Sequence, residues 1–145
     1  MKLDTTSKAA HYQNFAVQPL EIAIKNKMHV AEHGALKYVM RYPYKGQAVS
    51  DLEKCILYID VYYNVLNEMS RRDRLDYLAS KLCRVQKLPT KFILHVNHYT
   101  TAEQQHATGL LVEQRCTVES KKRKLEAARK LVVQLLEKEQ LCQKN

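Results

Sequence analysis

The chain has 145 residues, of which only 3 are Gly and 3 are Pro, against about 17 expected from average usage. So few turn formers exclude a sandwich, a barrel or another many-stranded fold. Gly34, Gly46 and Gly109 also stand too far apart to build a glycine-rich phosphate loop. Lys and Arg number 24 against 15 Asp and Glu, a net charge of +9, and 46% of residues are hydrophobic. That balance describes a basic, folded, all-α protein. No apolar run approaches the roughly 18 residues of a membrane span, and Met1 to Ala10 lacks the apolar segment of a secretion signal. The expectation is a cytoplasmic protein with no membrane partner. Cys55, Cys83, Cys116 and Cys142 form no CxxC pair and read as reduced thiols.

In chain order, residues 1–14 are polar and read as extended. Pro19 suits the first turn of a helix that Leu20, Ile22, Ala23 and Ile24 carry to about Met28. A second helix is expected over Val30 to Tyr42, ended by Pro43 and Gly46, with a loop over Tyr42 to Val49. Ser50-Asp-Leu-Glu53 reads as a capping box opening a third helix. This helix is apolar on several sides (Leu52, Cys55, Ile56, Leu57, Ile59, Val61, Tyr63, Val65, Leu66) and therefore central. Ser70-Arg-Arg-Asp73 repeats the cap pattern and starts a fourth helix to about Gln86, with Leu75, Leu78, Ala79 and Leu82 inward. After Pro89, Phe92 to Val96 is β-prone, but a lone strand without a partner leaves a helix or a dimer-contact edge open as well. From Ala102 to Leu141 the pattern is helical, with a break expected near Gly109 or Cys116–Thr117. Leu125, Ala128, Val132 and Leu135 then form either a packed face or a short coiled-coil seam.

Few side chains fall into a catalytic pattern. His29 and His33 are i,i+4 and His95 and His98 are close, but neither pair comes with the further Cys or His ligands zinc needs, so no metal is expected. Glu21, Glu32, Glu53 and Asp60 make no ExxE or ExxD pair. The informative cluster is cationic. Lys37 and Arg41 share a helix face, Lys45 follows in the loop, and the loop leads to the free amides of the next helix. Tyr38, Tyr42 and Tyr44 lie close enough to stack on a base or sugar. Two readings stand at this point: an anion site, or plain pairing of Lys37 and Arg41 with acids such as Asp51.

The same residues resemble the small SaV-like domain of tailed phages. The motifs are His11-Tyr12-Gln13, then Gln18-Pro19-Leu20-Glu21-Ile22, Gly34-Ala-Leu-Lys37-Tyr38-Val-Met-Arg41, Lys45-Gly46, and Asp51-Leu52-Glu-Lys54 with Tyr58. A similar domain forms the C-terminal part of the early nucleotide kinase of some short-tailed coliphages, an enzyme without a Walker loop. The match covers about residues 11–66, and the chain departs from it at Ala35, where the family commonly has Asn, and at Cys55 and Ile59. The resemblance implies a bacteriophage protein of the host cytoplasm that binds a nucleotide or other phosphate-bearing ligand. If it is a kinase, it uses ATP and Mg. Tyr12, Lys37, Tyr38, Arg41, Lys45 and Lys54 would then hold the ligand, with His11 or Asp51 as base or metal-orienting group. Together with the helical pattern of residues 71–145, which lie outside the resemblance, the expected architecture is a compact helical domain over 1–70 and a long amphipathic helical extension over 71–145, open to oligomerisation or partner binding.

That extension carries a second basic feature: Lys121, Lys122, Arg123 and Lys124, followed by Arg129 and Lys130. It reads either as a solvated helix face or as a contact for nucleic acid or a host protein. No aromatics interleave with it to stack on single-stranded bases. The alternative function is therefore a non-catalytic module that binds through this helix, or a protein that sequesters a nucleotide without turnover.

Overall fold

A computed structural model describes residues 13–82 and 88–144, and all its regular structure is helical: α1 (Pro19–Asn26), α2 (Val30–Arg41), α3 (Ala48–Glu68), α4 (Arg71–Leu82), α5 (Thr90–Val96), α6 (Ala102–Val112) and α7 (Val118–Gln143). Pro19 occupies the first turn of α1 as its missing N–H allows. His29 caps α2: its Nδ1 accepts from the Ala31 N–H at 3.1 Å, while Glu32 Oε2 accepts from the His29 N–H at 3.0 Å. That pair had no place in the sequence reading, because histidine is an uncommon cap. Ser70 caps α4 as expected, its Oγ accepting from the Asp73 N–H and Asp73 accepting in return. Thr101 and Thr117 accept from the Gln104 and Ser120 amides and start α6 and α7. The break thus falls at Glu113–Thr117, and Gly109 lies inside α6.

Three expectations change. The third helix begins at Ala48, not at Ser50, and has no side-chain cap. Gly46 turns the chain at φ 72° in the left-handed region, so helical geometry resumes before Ser50 can act as a cap. Phe92 to Val96 lies in a helix, α5, whose Ile93 is buried; no strand is present among the described residues. In α4, Leu75 is 68% exposed and Ala79 is exposed rather than inward. That helix touches little beyond α7. Leu82's side chain and the expected continuation to Gln86 lie outside what is described.

The core is a ring of four helices in which α2 packs on α3, α3 on α7, α7 on α6, and α6 back on α2. Leu36, Val39 and Met40 of α2 meet Leu52, Cys55, Ile59 and Leu66 of α3, Ala107 and Leu111 of α6, and Leu125, Ala128, Val132 and Leu135 of α7. Each large aliphatic chain buried this way contributes about 1.5–3 kcal/mol. The Leu125–Leu135 series is therefore a packed face, not a free seam. A boundary near residue 70 does not divide this core, which draws on helices both before and after it. No described helix is long and apolar enough to cross a membrane.

Three buried amides lock the ring to its surroundings. Gln104 Nε2 donates to the Val39 and Met40 carbonyls at 2.8 and 3.2 Å, joining α6 to the end of α2. Asn97 exchanges two hydrogen bonds with the backbone of Val17, and Asn26 two with that of Leu88. Each satisfies backbone groups that would otherwise be stranded away from water.

Candidate functional site

The α2–α3 hairpin brings most of the expected cationic residues to one place. Arg41 ends α2 and Asp51 sits in the first turn of α3, and the turn between them brings the two face to face. The guanidinium is bidentate, Nε donating to Asp51 Oδ2 at 2.8 Å and Nη2 to Oδ1 at 2.9 Å. Asp51 is fully buried and the Arg41 side chain is 10% exposed. Asp51 is thus closed to solvent with both oxygens engaged, an arrangement unlike that of a base or a metal-orienting group. The plain-pairing reading describes Arg41 and Asp51 correctly.

It does not describe the rest. Tyr38 lies half-buried on the same face, and three cations lie within cation–π distance of its ring: Lys37 Nζ at 4.5 Å from the centroid, Arg41 Cζ at 4.5 Å and Lys54 Nζ at 5.8 Å. Tyr58 stacks on Tyr38 with centroids 5.7 Å apart. The Tyr58 ring in turn lies directly against Gly34, where any Cβ would come within 2.4 Å of it. Glycine is what lets the ring lie there. Among the described residues neither Lys37 nor Lys54 forms an ion pair, so Asp51 answers only one of three positive charges. One turn before Lys37, His33 is held below the ordinary histidine range by burial and then by the Lys37 charge, the direction expected beside surplus positive charge. Lys45 is exposed in the turn, and no described contact joins it to this cluster. His11 and Tyr12 lie outside the described residues.

The basic run of α7 is dispersed. Lys121 is fully buried and pairs with Glu32 of α2, so it is not available to a phosphate backbone. Arg129 is bidentate to Asp60 at 2.7 and 3.2 Å, and Lys122 leans over the Tyr63 ring at 5.2 Å. Arg123 and Lys130 are exposed and Lys124 half-buried. Consecutive residues fan out by 100° each around a helix, so this run does not line one face.

Sequence reasoning missed the buried polar centre that Lys121 enters. Lys121 Nζ also donates to the carbonyls of Leu111 and Glu113 at 3.1 and 2.9 Å. Gln114 Nε2 donates to Glu32 Oε1 at 3.0 Å and Gln114 Oε1 accepts from Lys81. Burial alone would raise the Glu32 carboxyl, but Lys121 and Lys81 and the hydrogen bonds from Lys121 and His29 hold it below its ordinary value. No sequence signal marks this pairing, since its members lie up to 89 positions apart on different helices. A separate shallow pocket of about 250 Å³ opens between α3 and α7, floored by Ile59 and Leu125. Its rim is already paired within itself, Arg129 to Asp60 and Tyr63 to Glu126.

No group of three or more His, Cys, Asp or Glu side chains is placed to hold a metal among the described residues. Comparison of the chain with protein-family models, with curated proteins and with solved structures finds no match.

Proposed function

We propose that the chain binds a phosphate-bearing ligand of the nucleotide class on the α2–α3 face, with Lys37 and Lys54 as its phosphate contacts. One observation carries this: two lysines that form no ion pair among the described residues converge with Arg41 on a single tyrosine ring. Held close together, these like charges repel one another, and an anion placed between them relieves the repulsion. Arg41, pinned by Asp51, supplies a fixed positive wall rather than a mobile contact. The resemblance to SaV-like phage domains supports the nucleotide class, because its ordered motifs include Lys37, Tyr38, Arg41 and Lys54. Phosphoryl transfer with ATP and Mg is a further step for which Asp51, engaged by Arg41, provides no free oxygen. Binding without turnover is therefore the form of the proposal.

The test is a titration of inorganic phosphate and a panel of nucleoside monophosphates followed by calorimetry, with transfer from ATP and magnesium assayed in parallel. Lys37→Ala and Lys54→Ala should each weaken binding about tenfold, or about 1.4 kcal/mol. Arg41→Ala is a poor probe, since it strands Asp51 inside the fold. No saturable binding by any member of the panel sinks the proposal. Transfer that survives Asp51→Asn would give the kinase reading a base other than Asp51.

A further inference from the structure

The central helix leaves one side uncovered. α3 is flanked by α2 and α7, yet on its remaining side Leu57, Val61 and Val65 are 58%, 46% and 38% exposed. These three are spaced four apart and form a continuous stripe. Lys54 and Glu68, both exposed, lie three residues beyond either end. At 3.6 residues per turn all five fall within about 40° of Val61.

The order along the stripe is cation, apolar, apolar, apolar, anion, with spacings of three, four, four and three. It reads the same in spacing from either end, with opposite charges at the two ends. Such a stripe is complementary to itself when reversed. We propose that α3 pairs antiparallel with α3 of a second copy of the chain, with Val61 on the twofold axis. Leu57 then packs against the partner's Val65, and Lys54 faces the partner's Glu68. The twofold makes the Leu57–Val65 and Lys54–Glu68 contacts twice, as an isologous interface requires. Parallel pairing would set Lys54 against Lys54 and Glu68 against Glu68, which like-charge repulsion disfavours. The seam is about 21 Å long, so the interface is small and the dimer dissociates on dilution.

Sedimentation velocity on the full chain tests this directly. Apparent mass should rise from 16.9 kDa towards twice that with concentration. Val61→Glu should remain monomeric over the same range, with circular dichroism and melting temperature confirming that it folds. Leu57→Ser should give the same loss if Val61→Glu does not fold. Lys54→Glu should weaken the dimer, and Lys54→Glu combined with Glu68→Lys should restore it. A wild-type chain that stays monomeric throughout overturns the proposal. So does a dimer indifferent to Val61→Glu and Leu57→Ser, or a charge swap that fails to restore pairing, since antiparallel register is then wrong.

Discussion

At the scale of single residues, the decisive choices are the two ion pairs that the fold closes off from water. A buried pair contributes little net stability relative to an apolar pair, but losing one partner leaves a charge without compensation. Arg41→Ala should therefore destabilise the protein by about 3–5 kcal/mol, while the double change Arg41→Met with Asp51→Leu recovers most of that. Urea unfolding of Arg41→Ala and of the double variant measures the difference. Glu32 gives a pH signature of known sign. Its carboxyl lies below the ordinary 4.5 in the folded state, so its contribution is complete above the unfolded value and is lost as pH falls through the lower, folded one. Acid unfolding should become less steep in Glu32→Gln, measured as the difference from wild type between neutral pH and pH below 4.5. An unchanged slope would mean that folding leaves the Glu32 carboxyl unshifted.

At the scale of elements, the α2–α3 hairpin shows how local chemistry builds the candidate site. Gly34 lets α3 approach α2 closely enough for Tyr58 to lie against the backbone and stack on Tyr38. Gly34→Ala would gain about 1 kcal/mol of helix propensity but incur about 1–3 kcal/mol of overpacking. A net loss of about 1 kcal/mol is expected by thermal unfolding, together with weaker phosphate binding as the Tyr38 ring is displaced. A variant that is stabilised and binds normally would show that the close approach is dispensable. The elements were unevenly legible. Pro19 and Ser70 announced their helices because a side chain or ring acts on its own backbone. Ser50 misled because the turn at Gly46 acted first. Phe92 to Val96 looked β-prone because a seven-residue helix with one buried residue, Ile93, leaves too short a periodic signal.

At the scale of the whole molecule, α7 is part of the core and not an appendage. A fragment ending at residue 70 loses Leu125, Ala128, Val132 and Leu135 and leaves Glu32 without Lys121. Circular dichroism of that fragment should show no cooperative melt, whereas an independent domain would melt cooperatively. The two proposals also meet at one amine. Lys54 faces Tyr38 and, in the proposed seam, the partner's Glu68, so ligand and partner compete for it. Saturating phosphate should lower the apparent mass at fixed protein concentration, and chloride at equal ionic strength should not. By linkage the same coupling should make binding tighter in Val61→Glu.

The sequence by itself determined the helical class, most of the helix boundaries, the cationic character of α2 and the apolar face of α7. All of these follow from composition, caps and periodicity, which act within a few residues. It also marked Lys37, Tyr38, Arg41 and Lys45 as a group, because they lie a few residues apart, whereas Lys54 joined them only through the family resemblance. Only the tertiary structure decided which charges are free. Lys121 looked like one cation among six until the ring of helices closed around it and Glu32, and Arg41 looked available until Asp51 was folded against it. Burial and partner choice depend on residues up to 89 positions away, and no local pattern encodes them.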